Sequence, residues 1–228
     1  MTDPGISGTG LAQLLRLASP MLPVGAYSYS QGLEWAVEEG AVRDEQTALR
    51  WIGDTLTLNI GSLEAAVWRR MYEAWSGGDA ESAVYWNERF LAVRETAELR
   101  AETLQMGEAL RLVLKATGEI DSGPLDRIEE LAFPTAFSFA AHGLGVPLQE
   151  GLTGYLWAWG ENQVSAAMKL VPLGQSSGQR ILAKLIGLLP EIVARALAAD
   201  DDALGNFSPG LAIASSRHET QYTRLFRS

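Results

Sequence analysis

Apolar residues recur at helical spacing along almost the whole chain, while the apolar and polar alternation typical of strands is scarce. The first amphipathic set contains Leu11, Leu14 and Leu15. It stops at Ser19-Pro20, because the residue before a proline avoids the helical region. This pattern predicts an all-α protein. A chain of 228 residues can bury one substantial core, so we expect a single compact multi-helix domain.

Glycines, prolines and capping residues predict where the helices begin and end. After the first set we predict a helix over 32–39, a helix from Asp44 to Gly77-Gly78 that Gly61 interrupts or kinks, and a long proline-free helix from Asp79 to about Lys115. Further helices are predicted over 125–132, from Pro134 to His142, from Pro147 to Leu170, and from about Ser176 to Ala199, with Pro190 kinking or dividing the last.

The two ends of the chain differ from the helical domain, which we place at 11–204. Residues 1–10 lack the basic and apolar segments of a signal peptide, so they are predicted to be a flexible leader. Residues 205–228 are predicted to be a tail that is mobile in the free protein. Its first part is typical of a linker, with Gly205, Asn206, Ser208, Pro209 and Gly210.

Charge and composition narrow the function classes. The formal net charge of −10 argues against binding to nucleic acid or to an anionic membrane surface, because both need clustered Lys and Arg. The uncharged stretch 131–148 contains Pro134, Gly143 and Pro147, which favour a buried helix with flanking turns over a membrane span. The chain has no cysteine, which excludes disulfides and a cysteine nucleophile and fits a cytoplasmic address.

Metal-binding patterns are also missing. The chain has 2 histidines, His142 and His218, which are far apart and have no metal-ligand spacing. The acidic run 200–202 is predicted to be solvated, although it could bind cations weakly. We therefore expect no metal site and no bound cofactor.

Two motifs resemble catalytic elements only superficially. The stretch from Gly174 to Arg180 is rich in glycine and serine, but it lacks the GK[ST] end of a phosphate loop. It is interpreted as a helix break, either at an interface or as a plain turn. Glu34, Glu38 and Glu39 have no companion base or nucleophile in the sequence, so we predict a solvated helix face and no enzyme activity.

The segment from Ser19 to Glu34, here called the signature segment, is predicted to be rigid. Pro20 and Pro23 fix their own φ angles, and Gly25 supplies a position free to take positive φ. A rigid loop loses little entropy on binding, which favours a recognition role. An ordinary interhelical loop whose tyrosines Tyr27 and Tyr29 pack on the core is the alternative from the residues alone.

The tail segment, residues 217–228, combines apolar and basic side chains. Tyr222, Leu225 and Phe226 are possible anchors, and arginines separate them. This pattern is typical of a segment that orders on a partner surface, where arginine makes charge-assisted contacts. The alternative is a frayed terminus without a role.

Three sequence blocks resemble the UreF family of urease accessory proteins. The first runs from Ser19-Pro20 through Leu22-Pro23-Val24-Gly25 to Gly32-Leu33-Glu34, and Ala26 departs from the glycine or other small residue that many members carry. The second is Gln163-Val164-Ser165-Ala166-Ala167 with Leu170 to Gln175 and Gly178-Gln179. The third is Arg217-His218-Glu219 with Arg224-Leu225-Phe226-Arg227-Ser228.

This resemblance implies a function that the residues alone do not. It implies a homodimeric accessory protein that bridges the urease apoprotein, with UreD (also called UreH), and the GTPase UreG during nickel insertion. The alternative is a regulator of UreG that accelerates or restrains GTP hydrolysis through Arg180 or Arg224. The candidate partner-binding residues are Pro23, Gly25, Tyr27, Ser28, Gln31, Glu34, Gln175, Gln179, Arg217, Glu219, Tyr222, Arg224, Leu225 and Phe226.

Overall fold

A computed structural model of the chain describes residues 5–201, 204–205 and 208–228, and within them it is helical without strands. The all-α prediction is therefore confirmed. The α-helices are α1 (Gly8–Leu17), α2 (Leu33–Glu38), α3 (Glu45–Thr55), α4 (Ala65–Ser76), α5 (Ala80–Ala92), α6 (Ala97–Thr117), α7 (Phe133–Gly143), α8 (Leu148–Leu170), α9 (Gln175–Ala198) and α10 (Pro209–His218). Short 3₁₀ helices cover Ala26–Ser28 and Gly123–Arg127.

The core lies where α4, α6, α7 and α8 meet, and α9 packs along α8. Trp68 of α4 and Phe137 of α7 are completely buried there. The ring of Tyr155 on α8 lies 5.2 Å from that of Phe137 and 6.3 Å from that of Trp68. Burying such rings is a large part of the stability of a domain of this size.

Gly61 perturbs its helix as predicted, and the perturbation is a π-helical segment, Leu56–Glu64, that joins α3 to α4. A Cβ atom at Gly61 would lie 2.6 Å from Cγ2 of Ile192 on α9. Glycine is therefore required for the close approach of α9. The altered register also places Asn59 and Glu64 in the interior, because π segments shift the faces of the residues that follow.

The prediction of one long helix from Asp79 to Lys115 is wrong. The chain forms α5 and α6 with a break at 93–96, and Thr96 caps α6 by accepting a hydrogen bond from Leu99 N at 3.2 Å. In the break, Arg94 turns inward and forms an ion pair with buried Glu64 at 3.1 Å. This tertiary contact outweighs the helix propensity of the Ala, Leu, Glu and Arg residues on either side of the break.

Other helix limits also differ from the predictions. The helix predicted over 125–132 is a 3₁₀ turn that ends at Arg127, so the chain reaches α7 without a regular helix. Pro190 lies inside α9 and does not divide it. The predicted leader is partly helical, since α1 begins at Gly8 with Ser7 as its N-cap. Residues 1–4 of that leader lie outside the described part of the chain.

The predicted linker contains the start of a helix. Pro209 and Gly210 open α10, whose Leu211 and Ala214 are buried against the domain. Asp202 and Asn206, to which solvated and linker roles were assigned, lie outside the described residues. Of the acidic run, Asp201 is described, and its carboxylate accepts a hydrogen bond from Arg70 at 2.6 Å. The segment after residue 204 is thus partly built into the fold.

Helices of membrane-spanning length and hydropathy do not occur among the residues that the structure describes. The uncharged stretch 131–148 contains α7, most of whose residues are buried in the core.

Candidate functional site

The signature segment has the restricted backbone that its sequence predicts. Gly25 lies at φ 79° and ψ 13°, in the left-handed region, and the 3₁₀ turn Ala26–Ser28 follows it directly. Gln31 and Gly32 also have positive φ, at 53° and 77°. Among the residues that the structure describes, Gln31 is the only one other than glycine with a positive φ. Such a backbone persists only where surrounding contacts hold it.

The tail segment lies directly against the signature segment. Both the backbone N and the hydroxyl of Ser30 donate to Ser228 O, at 2.8 and 2.6 Å. The backbone N of Arg227 donates to Ser28 O at 2.8 Å. Blocks that are about 200 residues apart in the sequence therefore form one continuous site.

Glu34 is the main anchor for this docked tail. Its carboxylate accepts hydrogen bonds from the backbone N of Leu225 at 2.6 Å and of Phe226 at 2.8 Å. The prediction that Glu34 belongs to a solvated face is wrong, since it is only 7% exposed, whereas Glu38 and Glu39 are exposed. A carboxylate that accepts several backbone hydrogen bonds is well suited to fix an extended segment.

A second carboxylate, Glu98 at the start of α6, completes the contact. His218 lies fully buried between Glu98 and Glu34, with ring-nitrogen to oxygen distances of 2.7 Å from Nδ1 to Glu98 and 3.3 Å from Nε2 to Glu34. Arg224 donates to the other oxygen of Glu98 at 2.6 Å. Glu219 accepts a hydrogen bond from Glu98 N at 3.2 Å, at the N-terminus of α6.

A third carboxylate, Glu102, lies one turn further along α6. It accepts hydrogen bonds from Gln31 Nε2 at 2.8 Å and from the hydroxyl of Ser228 at 2.7 Å. Burial raises the pKa of Glu102 to about 7, and these hydrogen bonds only partly oppose that rise. Sequence reasoning identified neither Glu98 nor Glu102, because no local pattern distinguishes them from other glutamates of an amphipathic helix.

A cavity of about 220 Å³ opens beside the signature segment. Its walls are mainly apolar and include Leu22 and Met106, and the polar groups include the buried ion pair of Glu64 and Arg94. Tyr155 donates a hydrogen bond to Glu64, and burial raises the pKa of the Tyr155 phenol well above its ordinary value. The phenol therefore remains a donor at neutral pH.

The signature segment forms one wall of this cavity. It also forms part of the surface on which the tail segment lies. Gln31 donates to Glu102 and accepts from Trp159 Nε1 of α8 at 2.8 Å. Asn162 of α8 donates to Tyr29 O at 3.2 Å. Tyr29 is buried, as the interpretation of an ordinary loop expects, whereas Tyr27 is 68% exposed.

The predicted site residues divide into an outer and an inner set. Pro23, Tyr27, Arg217, Tyr222 and Leu225 are exposed, and Gly25 and Ser28 are half-buried in the loop between them. Phe226 is buried, with Lys169 Nζ 5.5 Å from the centre of its ring. The outer set gives the site an exposed apolar and basic face, while the inner set holds the two segments together.

Gln175 and Gln179 do not join this site in the structure. Both are exposed in the first turns of α9. Nearby Arg180 forms two hydrogen bonds with Glu45 of α3, at 2.8 and 2.6 Å, and this exposed pairing lowers the pKa of Glu45 to about 2. Of the second sequence block, Ser165 on α8 lines the cavity beside the signature segment.

The described residues hold no group of three or more His, Asp or Glu side chains arranged to bind a metal ion. The buried carboxylates of the site are occupied by protein donors, most of them from the tail and the signature segment. The fold and the site thus define an all-helical protein whose distinctive feature is a C-terminal tail segment docked on the signature segment.

Comparison with known proteins assigns the chain to a family. The UreF family model matches residues 42–186. The urease accessory protein UreF of Azoarcus sp. (strain BH72) is 52% identical over 232 aligned residues, which cover 100% of this chain and 99% of that protein. The protein of the same name from Dechloromonas aromatica (strain RCB) is 50% identical, with 96% and 97% covered. The chain therefore belongs to the UreF family of urease accessory proteins.

Proposed function

We propose that this protein is a non-catalytic adaptor in urease maturation, acting in the cytoplasm as a homodimer. In this role it bridges the urease apoprotein, with UreD, and the GTPase UreG while nickel is inserted into urease. Nickel and GTP then belong to the partners. The membership of the family supports the maturation role, and the site supports binding as its mechanism.

The observation that carries the proposal is the joining of the signature and tail segments into one surface. Their buried residues are held by hydrogen bonds, while Tyr27, Tyr222 and Leu225 project to solvent. Exposed aromatic side chains on a rigid base are typical of protein interfaces. We assign this composite surface to UreD binding.

The alternative, regulation of GTP hydrolysis by an arginine of this chain, receives less support. Arg180 is paired with Glu45, and Arg224 is paired with Glu98. An arginine that completes the site of a partner would first have to leave these carboxylates. If Arg180→Ala and Arg224→Ala leave GTP turnover by UreG unchanged, the adaptor role remains.

The proposal is tested by gel filtration with light scattering on the protein alone, with UreD, and with UreD plus nucleotide-loaded UreG. A chain ending after Thr220 is the useful truncation, because it keeps α10, whose Leu211 is buried in the domain. We expect it to keep its helical circular dichroism and to lose the complex with UreD. The full chain alone should elute with the mass of a dimer.

Tyr27→Ala and Tyr85→Ala form a matched pair for the same experiment. Tyr27 lies on the composite surface, whereas Tyr85 is an exposed tyrosine of α5. We expect Tyr27→Ala to weaken binding of UreD at least about tenfold, the size typical of an interface anchor, and Tyr85→Ala to leave it unchanged. Full binding by the truncated chain and by Tyr27→Ala would contradict the assignment of this surface.

A further inference from the structure

The contact between the tail and Glu102 has an unusual electrostatic character. Glu102 is buried in the middle of the dock, and its two oxygens accept from the neutral donors Ser228 and Gln31. Burial penalises the charged form of Glu102 more strongly than these neutral donors stabilise it, so the net effect favours protonation. We propose that the tail segment is a proton-linked latch, which protonated Glu102 holds closed and ionised Glu102 loosens.

The latch is built so that release of the tail changes the surroundings of Glu102. Ser228 contacts one oxygen of the carboxylate, and Ser30 holds Ser228 in place through its backbone N and hydroxyl. When the tail leaves, the hydroxyl leaves with it and water reaches the carboxylate. Docking and protonation of Glu102 are therefore coupled.

Charged and titratable groups from every side act on Glu102. Glu64 of the π segment disfavours its ionisation, while Arg94 of the break before α6 favours it. The phenols of Tyr29, from the signature segment, and of Tyr155, from α8, also face it. From the tail, Arg227 lies beside Tyr29 and bonds to Gln105 at 3.3 Å.

The direction of the coupling follows from the pKa of Glu102. In the docked state this pKa is about 7, and water that reaches Glu102 on release of the tail lowers it toward the ordinary range of a glutamate. Between these values the docked state binds more protons than the released state. Docking therefore weakens as the pH rises through this interval, and it is constant above it.

A second cluster of ionisable groups belongs to the same contact and must be separated from Glu102. His218 lies between Glu34 and Glu98, at 3.3 and 2.7 Å. The pH dependence of the wild-type tail therefore cannot be assigned to Glu102 without a comparison. A variant that changes Glu102 alone isolates the contribution of the latch.

Release of the tail also changes the surroundings of Gln31 in the signature segment. Gln31 is held in its positive-φ backbone by hydrogen bonds to Glu102 and Trp159, and release of the tail exposes one of these partners to water. Opening of the latch therefore changes the part of the cavity wall that Gln31 and Glu102 form, as well as the position of the tail.

Amide hydrogen exchange of Leu225 and Phe226 in the full chain tests the latch, since both amides donate to Glu34 only when the tail is docked. Wild type, Glu102→Gln and the control Glu88→Gln, an exposed glutamate on α5, are compared at each pH. The ratio of protection between wild type and a variant at one pH cancels the intrinsic exchange rate and the contribution of His218.

We expect the protection of wild type relative to Glu102→Gln to fall at least about tenfold between about pH 5.5 and about pH 8.5. The ratio to Glu88→Gln should stay constant. A ratio to Glu102→Gln that does not change with pH would overturn the latch, as would equal changes in the core amide of Leu110, which report global unfolding.

A second measurement reports the tail directly. The chain has no cysteine, so a spin label on Tyr222→Cys marks the tail alone, and Tyr222 is fully exposed. In the wild-type background the mobile fraction should rise with pH, and in the Glu102→Gln background it should rise less. Identical pH profiles in the two backgrounds would count against the latch.

Discussion

Single glycines determine how closely the segments of this protein approach one another. Gly32 is the clearest case, because it joins the signature segment to α10. It combines a φ of 77° with close packing, since a Cβ atom there would lie 2.9 Å from the backbone N of Ser215. Both the left-handed backbone and the contact exclude a larger residue.

We expect Gly32→Ala to lower the free energy of unfolding by about 2–4 kcal/mol, because it adds a steric clash to the strain of positive φ. Gly78→Ala is the matched control, since Gly78 has a φ of 69° but no atom within 4 Å of a Cβ at that position. The control should cost only about 1 kcal/mol. Urea unfolding of both variants measures the difference, and equal losses would show that the contact with Ser215 is unimportant.

At the scale of elements, irregular segments position the site more than the regular helices do. The π segment turns Glu64 inward, and the break before α6 brings Arg94 to meet it. The same break lets Thr96 cap α6, which carries Glu98 and Glu102 toward the tail. A straight helix over 79–115 would not bring the carboxylates of Glu98 and Glu102 to the tail segment.

The close packing of the π segment gives a prediction for that element. Gly61→Ala places a methyl group 2.6 Å from Ile192 Cγ2 and 2.8 Å from Leu56 O, so the Ile192 side chain and the backbone of the π segment must shift. We expect a loss of about 1–3 kcal/mol in unfolding free energy.

Gly187→Ala is the control within α9, because Gly187 is exposed and has open space around it. There alanine should stabilise the helix by about 0.5–1 kcal/mol. Thermal unfolding followed by circular dichroism distinguishes the two signs. Stabilisation by Gly61→Ala would show that the π segment does not need its glycine.

For the whole molecule, the positions of the acidic residues matter as well as the net charge. The chain carries 28 Asp and Glu against 18 Lys and Arg, yet carboxylates such as Glu34, Glu64 and Glu102 are buried. Glu64 is compensated by Arg94, whereas Glu102 is held by neutral donors. Ionisation of Glu102 is therefore a cost to the folded state.

The stability of the whole domain should reflect this cost. Because the pKa of Glu102 rises to about 7 on folding, its contribution is present at low pH and is lost as the pH rises through about 7. Glu102→Gln should therefore gain stability relative to wild type between about pH 5 and pH 8, by on the order of 2 kcal/mol. Urea titrations at both pH values measure this gain. A constant difference between the two proteins would contradict it.

The sequence by itself determined the helical fold, most helix ends and the positive φ of Gly25 in the signature segment. These depend on local chemistry: apolar spacing, capping residues, and the fixed or free φ of Pro23 and Gly25. The resemblance of three sequence blocks also led to the right family.

Only the tertiary structure decided which of these features meet. It placed Glu34 under the tail, split the helix predicted over 79–115 and left Gln175 apart from the composite surface. Nothing local in the sequence distinguishes Glu98 or Glu102 from a solvated glutamate. Their roles come from burial and from donors at least 70 residues away in the sequence, and such long-range contacts leave no periodic trace in the chain.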